Sequence, residues 1–569
     1  MKAAQTALLL LFIPFLAFNQ NRYDVIIDEI MADPSPPIGL PNNEWIELKN
    51  TSDHPISLLG WRVGDAGGQS GPMPDFSLQP DSFVIVCSSN AVMAMSAFGA
   101  TISVTSFPSF DNDGDLVFLI TSNHTTIHAV AYSGAWYQND LKKEGGWSLE
   151  MIDTRSPCAG MSNWKASINV QGGTPARKNS VSDINEDQIG PKLKNAFVVD
   201  SVTVVAVFDE PVDSLQGATI GNYQMDGGLS IVNAMTVPPV FNTVQLSLNA
   251  ALSPGTVYNL TVNNVTDCKS HGIGSANSAR VGWPFEPSPT DVVINEILFN
   301  PKNNGFDYVE FYNVSTKIVD ASKLYVANRN GSNAISSIRQ ISSDPFYMFP
   351  GDYLVITEDF PSLERNYLVQ NPAAVVLLAS LPSYPNNEGD ILLLNGQGDV
   401  VDEVKYSDHW HFKLIDNPQG VALERIDPAG PSQDAANWHS AASTAGYGTP
   451  TYKNSQYKQT QPVDAMIEIT PKIFSPDNDG HDDIATIQYK ISGPGYVANI
   501  TIYDTQGRPV RYLVKNGILG SIGQWNWDGL DEKGNKLPIG TYIICTEVFN
   551  LQAKKQHFKN IIVLARRLS

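Results

Sequence analysis

Apolar and polar residues alternate in short runs along most of the chain, and these runs read as strands. Val202, Val204, Ala206 and Phe208 alternate with Ser201, Thr203, Val205 and Val207, and the run stops at Asp209-Glu210-Pro211. Val244, Leu246 and Leu248 predict another strand, and Tyr258, Leu260 and Val262 a third. The Pro254-Gly255 turn between these two predicts an antiparallel hairpin on a half-buried sheet. Earlier in the chain, Asp111-Asn-Asp-Gly-Asp115 falls between the apolar runs 83–86 and 116–119, where Asp-Gly is a hairpin signal. Near the end, strands at 498–503 and 542–545 flank Trp525-Asn-Trp527-Asp528-Gly529. No run has the spacing of an amphipathic helix. The pattern predicts an all-β chain.

One stretch occurs twice. Residues 24–50 contain Asp28-Glu29-Ile30 and Glu47-Leu48-Lys49-Asn50, and residues 291–313 contain Asn295-Glu296-Ile297 and Glu310-Phe311-Tyr312-Asn313. The echo continues downstream. Tyr132 and Trp136 match Tyr406 and Trp410, Leu149-Glu150 matches Leu423-Glu424, and Asn163-Trp164 matches Asn437-Trp438. Each copy closes on Gly-Thr-Pro and Lys-Asn-Ser, at 173–180 and 448–455. A unit of roughly 155 residues is domain-sized. Polar stretches at 182–188 and 456–462, and a proline-rich one at 284–290, read as linkers.

Composition agrees with this division. A chain of 569 residues suits about four domains. Charged residues make up 17%, with 43 Gly and 37 Pro, which suits turn-rich β structure. A net charge of −21 argues against nucleic acid and against an anionic membrane surface. The N-terminus reads as a secretory signal: Lys2, then an apolar run over 7–18 that is too short to anchor in a bilayer. No cysteine precedes Cys87, so no lipoprotein anchor is expected, and no later run reaches transmembrane length. Four cysteines make no disulfide framework. Only Cys87 and Cys158 share an expected domain, which leaves one bridge there, or buried idle thiols, as the two readings.

The repeated motifs resemble the lamin-tail domain, an immunoglobulin-like β-sandwich of nuclear lamins and secreted bacterial proteins. The resemblance rests on Asn295-Glu296-Ile297, Glu310-Phe311-Tyr312-Asn313 and the ending from Leu423-Glu424 to Gly448-Thr449-Pro450. Residues 206–213 and 252–258 resemble immunoglobulin-like modules of bacterial surface-layer and adhesin proteins. The opening Phe474-Ser-Pro and the Trp527-Asp-Gly and Pro538-Ile-Gly-Thr-Tyr542 ending are similar to flagellar-hook-cap modules. They are also similar to gliding-motility-associated C-terminal domains, which serve as type IX secretion signals. The expected architecture is a signal peptide at 1–20 and a string of four immunoglobulin-like sandwiches. These are lamin-tail domain 1 at 22–182, an immunoglobulin-like domain at 189–286, lamin-tail domain 2 at 289–457 and a sorting-like domain at 465–569.

Few residues invite chemistry. Asp477, Asp479, Asp482 and Asp483 supply closely spaced oxygens for calcium, the one cofactor expected; the same residues are also ordinary turn formers. Asp111-Asn-Asp-Gly-Asp115 looks alike, but its counterpart 386–390 loses carboxylates, so the turn reading holds there. His409 and His411 would face the same side of a strand as a metal clip, yet the first copy has Ala135 and Tyr137 there, which favours packing. Glu47 and Glu310 alternate with apolar neighbours, which predicts that they lie on a solvated strand face. No His-Glu-x-x-His, Gly-x-Ser-x-Gly or Walker loop occurs. No catalytic residues are therefore expected. The expectation is a secreted or cell-surface binding or scaffolding protein, with an extracellular protein or polymer as partner and the periplasm as fallback location. The alternatives are an accessory component for an extracellular nuclease or phosphatase and a surface-layer spacer.

Overall fold

The computed structural model describes residues 20–415, 417–458, 466–491, 493–552 and 554–566. The apolar run of the expected signal peptide lies outside them, as does most of the linker at 456–462. Strands are the dominant regular element of the described chain, as its alternating pattern predicts. It divides into two compact units: residues 1–252 with 258–281, and residues 253–257 with 282–569.

In the first unit a six-stranded sheet runs in the order Trp164–Ala166, Leu149–Met151, Val25–Met31, Trp45–Asn50, Phe83–Ser88, Thr101–Val104. A three-stranded sheet of Arg62–Gly64, Gly114–Ile120 and Thr126–Ser133 faces it across a core that includes Ile27, Leu48, Trp61, Leu119 and Trp164. Two further sheets, over 193–248 and over 223–281, enclose a separate core around Ala206, Leu246 and Leu260. The second unit repeats the six-stranded order as Trp438–Ser440, Leu423–Arg425, Val292–Leu298, Tyr308–Asn313, Tyr353–Thr357, Val375–Leu377. Its last sandwich pairs a three-stranded sheet over 466–527 with a five-stranded one over 473–564. That sandwich is fastened to the preceding repeat copy. Ser443 Oγ donates to Ile518 O (2.9 Å), Thr444 Oγ1 meets Tyr489 OH (2.7 Å), and Phe412 packs with Val497 and Ile518.

Several local expectations change. The Asp111–Asp115 turn does not close a hairpin: Phe83–Ser88 and Gly114–Ile120 lie in different sheets, and the hairpin after Gly114–Ile120 closes at Thr121–Thr125 instead. The Pro254-Gly255 segment likewise joins strands of two sheets, since Thr243–Leu248 pairs with Thr203–Phe208 while Tyr258–Val262 pairs with Tyr223–Met225. A turn signal reports a change of direction, and crossing from one layer to the other uses the same residues as a hairpin. Short helices occur, the longest at Phe360–Asn366, where the Asp359 side chain caps Ser362 N and Pro361 sits in the first turn. The segment 182–188 is not wholly free, because Asp183 N donates to Ile152 O and Asn185 N to Asp153 Oδ2.

The cysteine expectation is overturned. Cys158 is bonded to Cys268, 110 residues away and in the next sandwich, with their Cα atoms 6.1 Å apart. Cys87 is a buried free thiol, pushed up to about 11 by its burial. The idle-thiol reading holds for Cys87 but not for Cys158, whose bridge joins two sandwiches instead of closing within one repeat copy.

Candidate functional site

The strand Val25–Met31 is buried along its whole length, so its outward-facing residues are covered as well as its inward ones. Glu29 lies opposite Glu47 on one neighbouring strand and opposite Glu150 on the other. Three glutamates therefore stand side by side across three strands, all with no exposed surface. The second copy repeats the row as Glu296, Glu310 and Glu424, also fully buried. This corrects the solvated-face expectation for Glu47 and Glu310. Alternation identifies the face correctly but cannot show that another segment covers it.

The cover is the Gly-Thr-Pro…Asn-Ser ending of each copy. Thr174 N donates to Glu29 Oε1 (2.8 Å), and its hydroxyl donates to Glu150 Oε1 (2.8 Å). Ala176 N donates to Glu47 Oε2, while Ser180 Oγ (2.7 Å) and Val181 N (3.1 Å) reach Glu150 Oε2. In the second copy Thr449 N reaches Glu296 Oε1 (2.9 Å), Thr451 N reaches Glu310 Oε2 (2.6 Å) and Gln456 N reaches Glu424 Oε2 (2.7 Å). Asn179 fixes the strap to the backbone oxygens of Asp28 and Met151, and Asn454 does so to those of Asn295 and Arg425. The glycine that opens each strap leaves no room for a side chain. A Cβ on Gly173 would sit 2.8 Å from Glu29 Oε1, and one on Gly448 2.7 Å from Tyr308 OH.

Burial, reinforced by the like charges alongside, holds Glu29 up to about 8 and Glu47 well above the usual carboxylate range. Burial does the same in the other row, raising Glu424 to about 8 and Glu310 well above its ordinary value. Three carboxylates this close cannot all ionise in a dry site, so each row retains protons at neutral pH. With no exposed surface, they reach no substrate. They act on the strap.

The profile of the lamin tail domain matches residues 19–134 and 286–408, and that of the CHU_C type IX secretion signal domain matches 468–564. The chain carries two lamin tail domains and a type IX secretion signal domain. It is therefore exported, to the cell surface or beyond. None of the curated proteins matches it. Among solved structures, the N-terminal part of the bacterial S-layer protein SbsC is 13% identical, over 29% of this chain and 40% of that one, with a TM-score of 0.16. The chain thus spans less than half the length of that structure. A DUF4876 family protein from Bacteroides thetaiotaomicron is 12% identical, over 37% of this chain and 85% of that one, with a TM-score of 0.17. PorZ, a surface component of the type IX secretion system of Porphyromonas gingivalis, is 9% identical over 96% and 81%, with a TM-score of 0.17. TM-scores this low do not establish a shared fold.

Other recurring residues of the lamin tail domains are also fasteners. Trp136 packs against Trp164 and Trp410 stacks on Trp438, each pair with ring centres 6.2 Å apart. Asn163 and Asn437 each bind both polar atoms of the backbone at Asp153 and Asp427. His409 and His411 do not share a face. Asp408–Trp410 is a 3-10 turn instead of a strand, because the Ser407 hydroxyl caps it at His409 N. His409 points to solvent, while His411 is buried on Phe299, bonded to Ser440 Oγ (2.9 Å) and pushed by burial down to about 4.

In the secretion signal domain, carboxylate oxygens of Asp477, Asp479 and Asp483 lie within 4.8 Å of one another; Asp482 is outside the group. Asp482 has a φ of +51° and gives its backbone oxygen to Ser475 N. The Asp483 carboxylate accepts Asn478 N (2.6 Å) and Gly480 N (2.9 Å), and these N–H bonds hold it below its ordinary range. The loop is organised as a turn by the same carboxylates that an ion would need. No helix among the described residues is long and apolar enough to cross a membrane.

Proposed function

We propose that this protein is a non-catalytic binding or scaffolding component delivered outside the cell by its C-terminal domain. The observation that carries this reading is the match of residues 468–564 to a type IX secretion signal domain, following two lamin tail domains. The use of the recurrent acidic residues supports it. All six glutamates of the repeated rows bind a strap, and none lines an open cleft with a base or nucleophile beside it. An enzyme needs titratable groups that converge where a substrate can enter.

Deletion of 466–569 tests the delivery half of the reading. The truncated chain should remain in the periplasm of a host with type IX secretion, while the full chain reaches the surface or medium. Arrival of the truncated chain at normal levels would make the last domain a structural bead. A screen of the full chain against phosphoester, glycan, peptide and nucleic-acid substrates tests the other half. Turnover abolished by one acidic or histidine substitution would overturn it.

A further inference from the structure

The secretion signal domain is fastened beside the strand Trp438–Ser440 of the second lamin tail domain, and that strand carries a histidine at the join. A Cβ on Gly495 would lie 3.9 Å from His439 Nε2, so the bend at Gly495 closes over the imidazole. Phe412 packs on the same ring, with centres 5.1 Å apart, and also on Val497 and Ile518 of the signal domain. Gln456 Nε2 donates to Ser440 O (2.9 Å) on one side and to Leu519 O (3.1 Å) on the other. Ser521 N crosses the join to Ser455 O (2.8 Å).

His439 is only half bonded. Its Nδ1 lies 3.0 Å from Ser440 O, which can only accept, so Nδ1 carries the hydrogen and Nε2 the lone pair. That Nε2 is buried and has no hydrogen-bond partner among the described residues. A buried polar atom left without a partner is rare and costly. The first lamin tail domain has Lys165 at this place, and there the side chain is exposed. The buried imidazole is therefore particular to the copy that carries the signal domain.

A proton on Nε2 would place a charge and a donor where no acceptor waits. Burial resists it, holding His439 below its ordinary 6.5. The neighbours do not offset this. His411 lies close enough that a charge on one imidazole opposes a charge on the other, and Asp408 acts on His411. Glu424 stands opposite His439 on the adjacent strand, yet its oxygens are taken by Thr449, Ser455 and Gln456, and burial keeps it protonated in acid. The signal domain brings Gly495, Val497, Ile518 and Tyr489 to the join, none of them charged in acid. Phe412 offers a cation–π contact, weaker than the hydration given up. We propose that His439 makes this join an acid-sensitive switch, by which mild acid parts the secretion signal domain from the second lamin tail domain while both sandwiches stay folded. Parting uncovers His439, so the parted state takes up a proton that the closed state refuses. The join is complete above about pH 6.5 and weakens as the pH falls below it. The glutamate row of the same lamin tail domain runs the other way: Glu310 and Glu424 hold protons in the folded state, so acid leaves that row at full strength. The inference goes beyond the delivery reading and holds whether or not the last domain directs export.

Hydrogen exchange of the full chain at pH 7 and pH 5, corrected for the intrinsic rate at each pH, tests the switch. The Ser521 amide, bonded across the join, is the reporter, resolved by mass spectrometry with fragmentation. Its protection should fall about tenfold from pH 7 to pH 5, one proton being taken up on parting. Amides of residues 543–549, in the core strand Gly540–Asn550 of the signal domain, should keep theirs. His439→Phe and His439→Gln keep a side chain at the join without a proton to gain, so each should match the parent at pH 7 and lose the pH dependence. Unchanged protection of Ser521 in the parent, the same loss in both variants, or loss at 543–549 in step with Ser521 would each overturn the proposal. Those results leave the delivery reading intact, because it is decided by where the protein with and without 466–569 is found.

Discussion

Thr174 lies across Glu29, 145 residues away in the chain: its N–H donates to Oε1 at 2.8 Å, and its hydroxyl is 3.3 Å from Oε2. Thr449 does the same to Glu296, with its N–H at 2.9 Å and its hydroxyl at 2.6 Å. The last residues of each lamin tail domain are thus locked onto its first strand. A segment with little apolar surface is held by hydrogen bonds to buried carboxyl groups in a dry site, where such bonds are strong.

The latch makes stability depend on pH in an unusual direction. Glu29 and Glu424 are held up to about 8 by burial, against an ordinary value of 4.5. A group whose pKa is raised on folding stabilises the fold below its unfolded value, and that contribution is lost as pH rises toward the folded value. Stability should therefore fall between about pH 4.5 and 8, by about 1.4 kcal/mol per pH unit for each proton held only in the folded state. Urea unfolding followed at pH 5, 6.5 and 8 reads this directly. Glu47→Gln, which replaces a protonated carboxyl with an uncharged amide, should flatten the slope of the first domain.

Thr174→Val removes the hydroxyl that joins Glu150 to the strap and leaves the N–H bond to Glu29 in place. A buried carboxylate oxygen then loses its donor, at a cost of about 1–3 kcal/mol. Chemical denaturation of the variant at pH 7 measures it. A change under about 0.5 kcal/mol, the level of an ordinary surface substitution, would mean that the strap is held without this contact.

The bond from Cys158 to Cys268 predicts the behaviour of nicked protein. Gln188 and Ile189 are exposed, whereas Val181, Asp183 and Asn185 are hydrogen-bonded to the first domain, so limited proteolysis should cut at 186–190. The fragments should migrate together on a non-reducing gel and separate after reduction. Cys268→Ser should cost about 2–5 kcal/mol in the unfolding of the first two sandwiches.

For the loop at 477–483 the expected result is indifference to calcium. Asp479 caps His481 N and Asp483 holds two backbone N–H groups, so the turn stands without an ion. The melting temperature should not move in millimolar calcium. A rise that Asp479→Ala abolishes would make the loop a calcium site, since a ligand that binds only the folded state stabilises it.

The sequence by itself determined the all-β class and the recurrence of one sandwich. Alternation with period two needs only local geometry, and a repeated order of strands follows from a repeated pattern of side chains. It also singled out the residues that matter most to the lamin tail domains: Glu47 and Glu310, the Asn-Trp pairs and the Gly-Thr-Pro endings. What it could not show was their purpose. That Glu47 is buried depends on residues 173–181 crossing its face, and that Cys158 meets Cys268 depends on how two sandwiches lie against each other. The hairpins misread at Asp111–Asp115 and Pro254-Gly255 have the same origin, because a turn motif does not encode which sheet the chain enters next. Only the tertiary structure decided these points, since each is a contact between segments far apart in the chain, and local propensity carries no record of such partners.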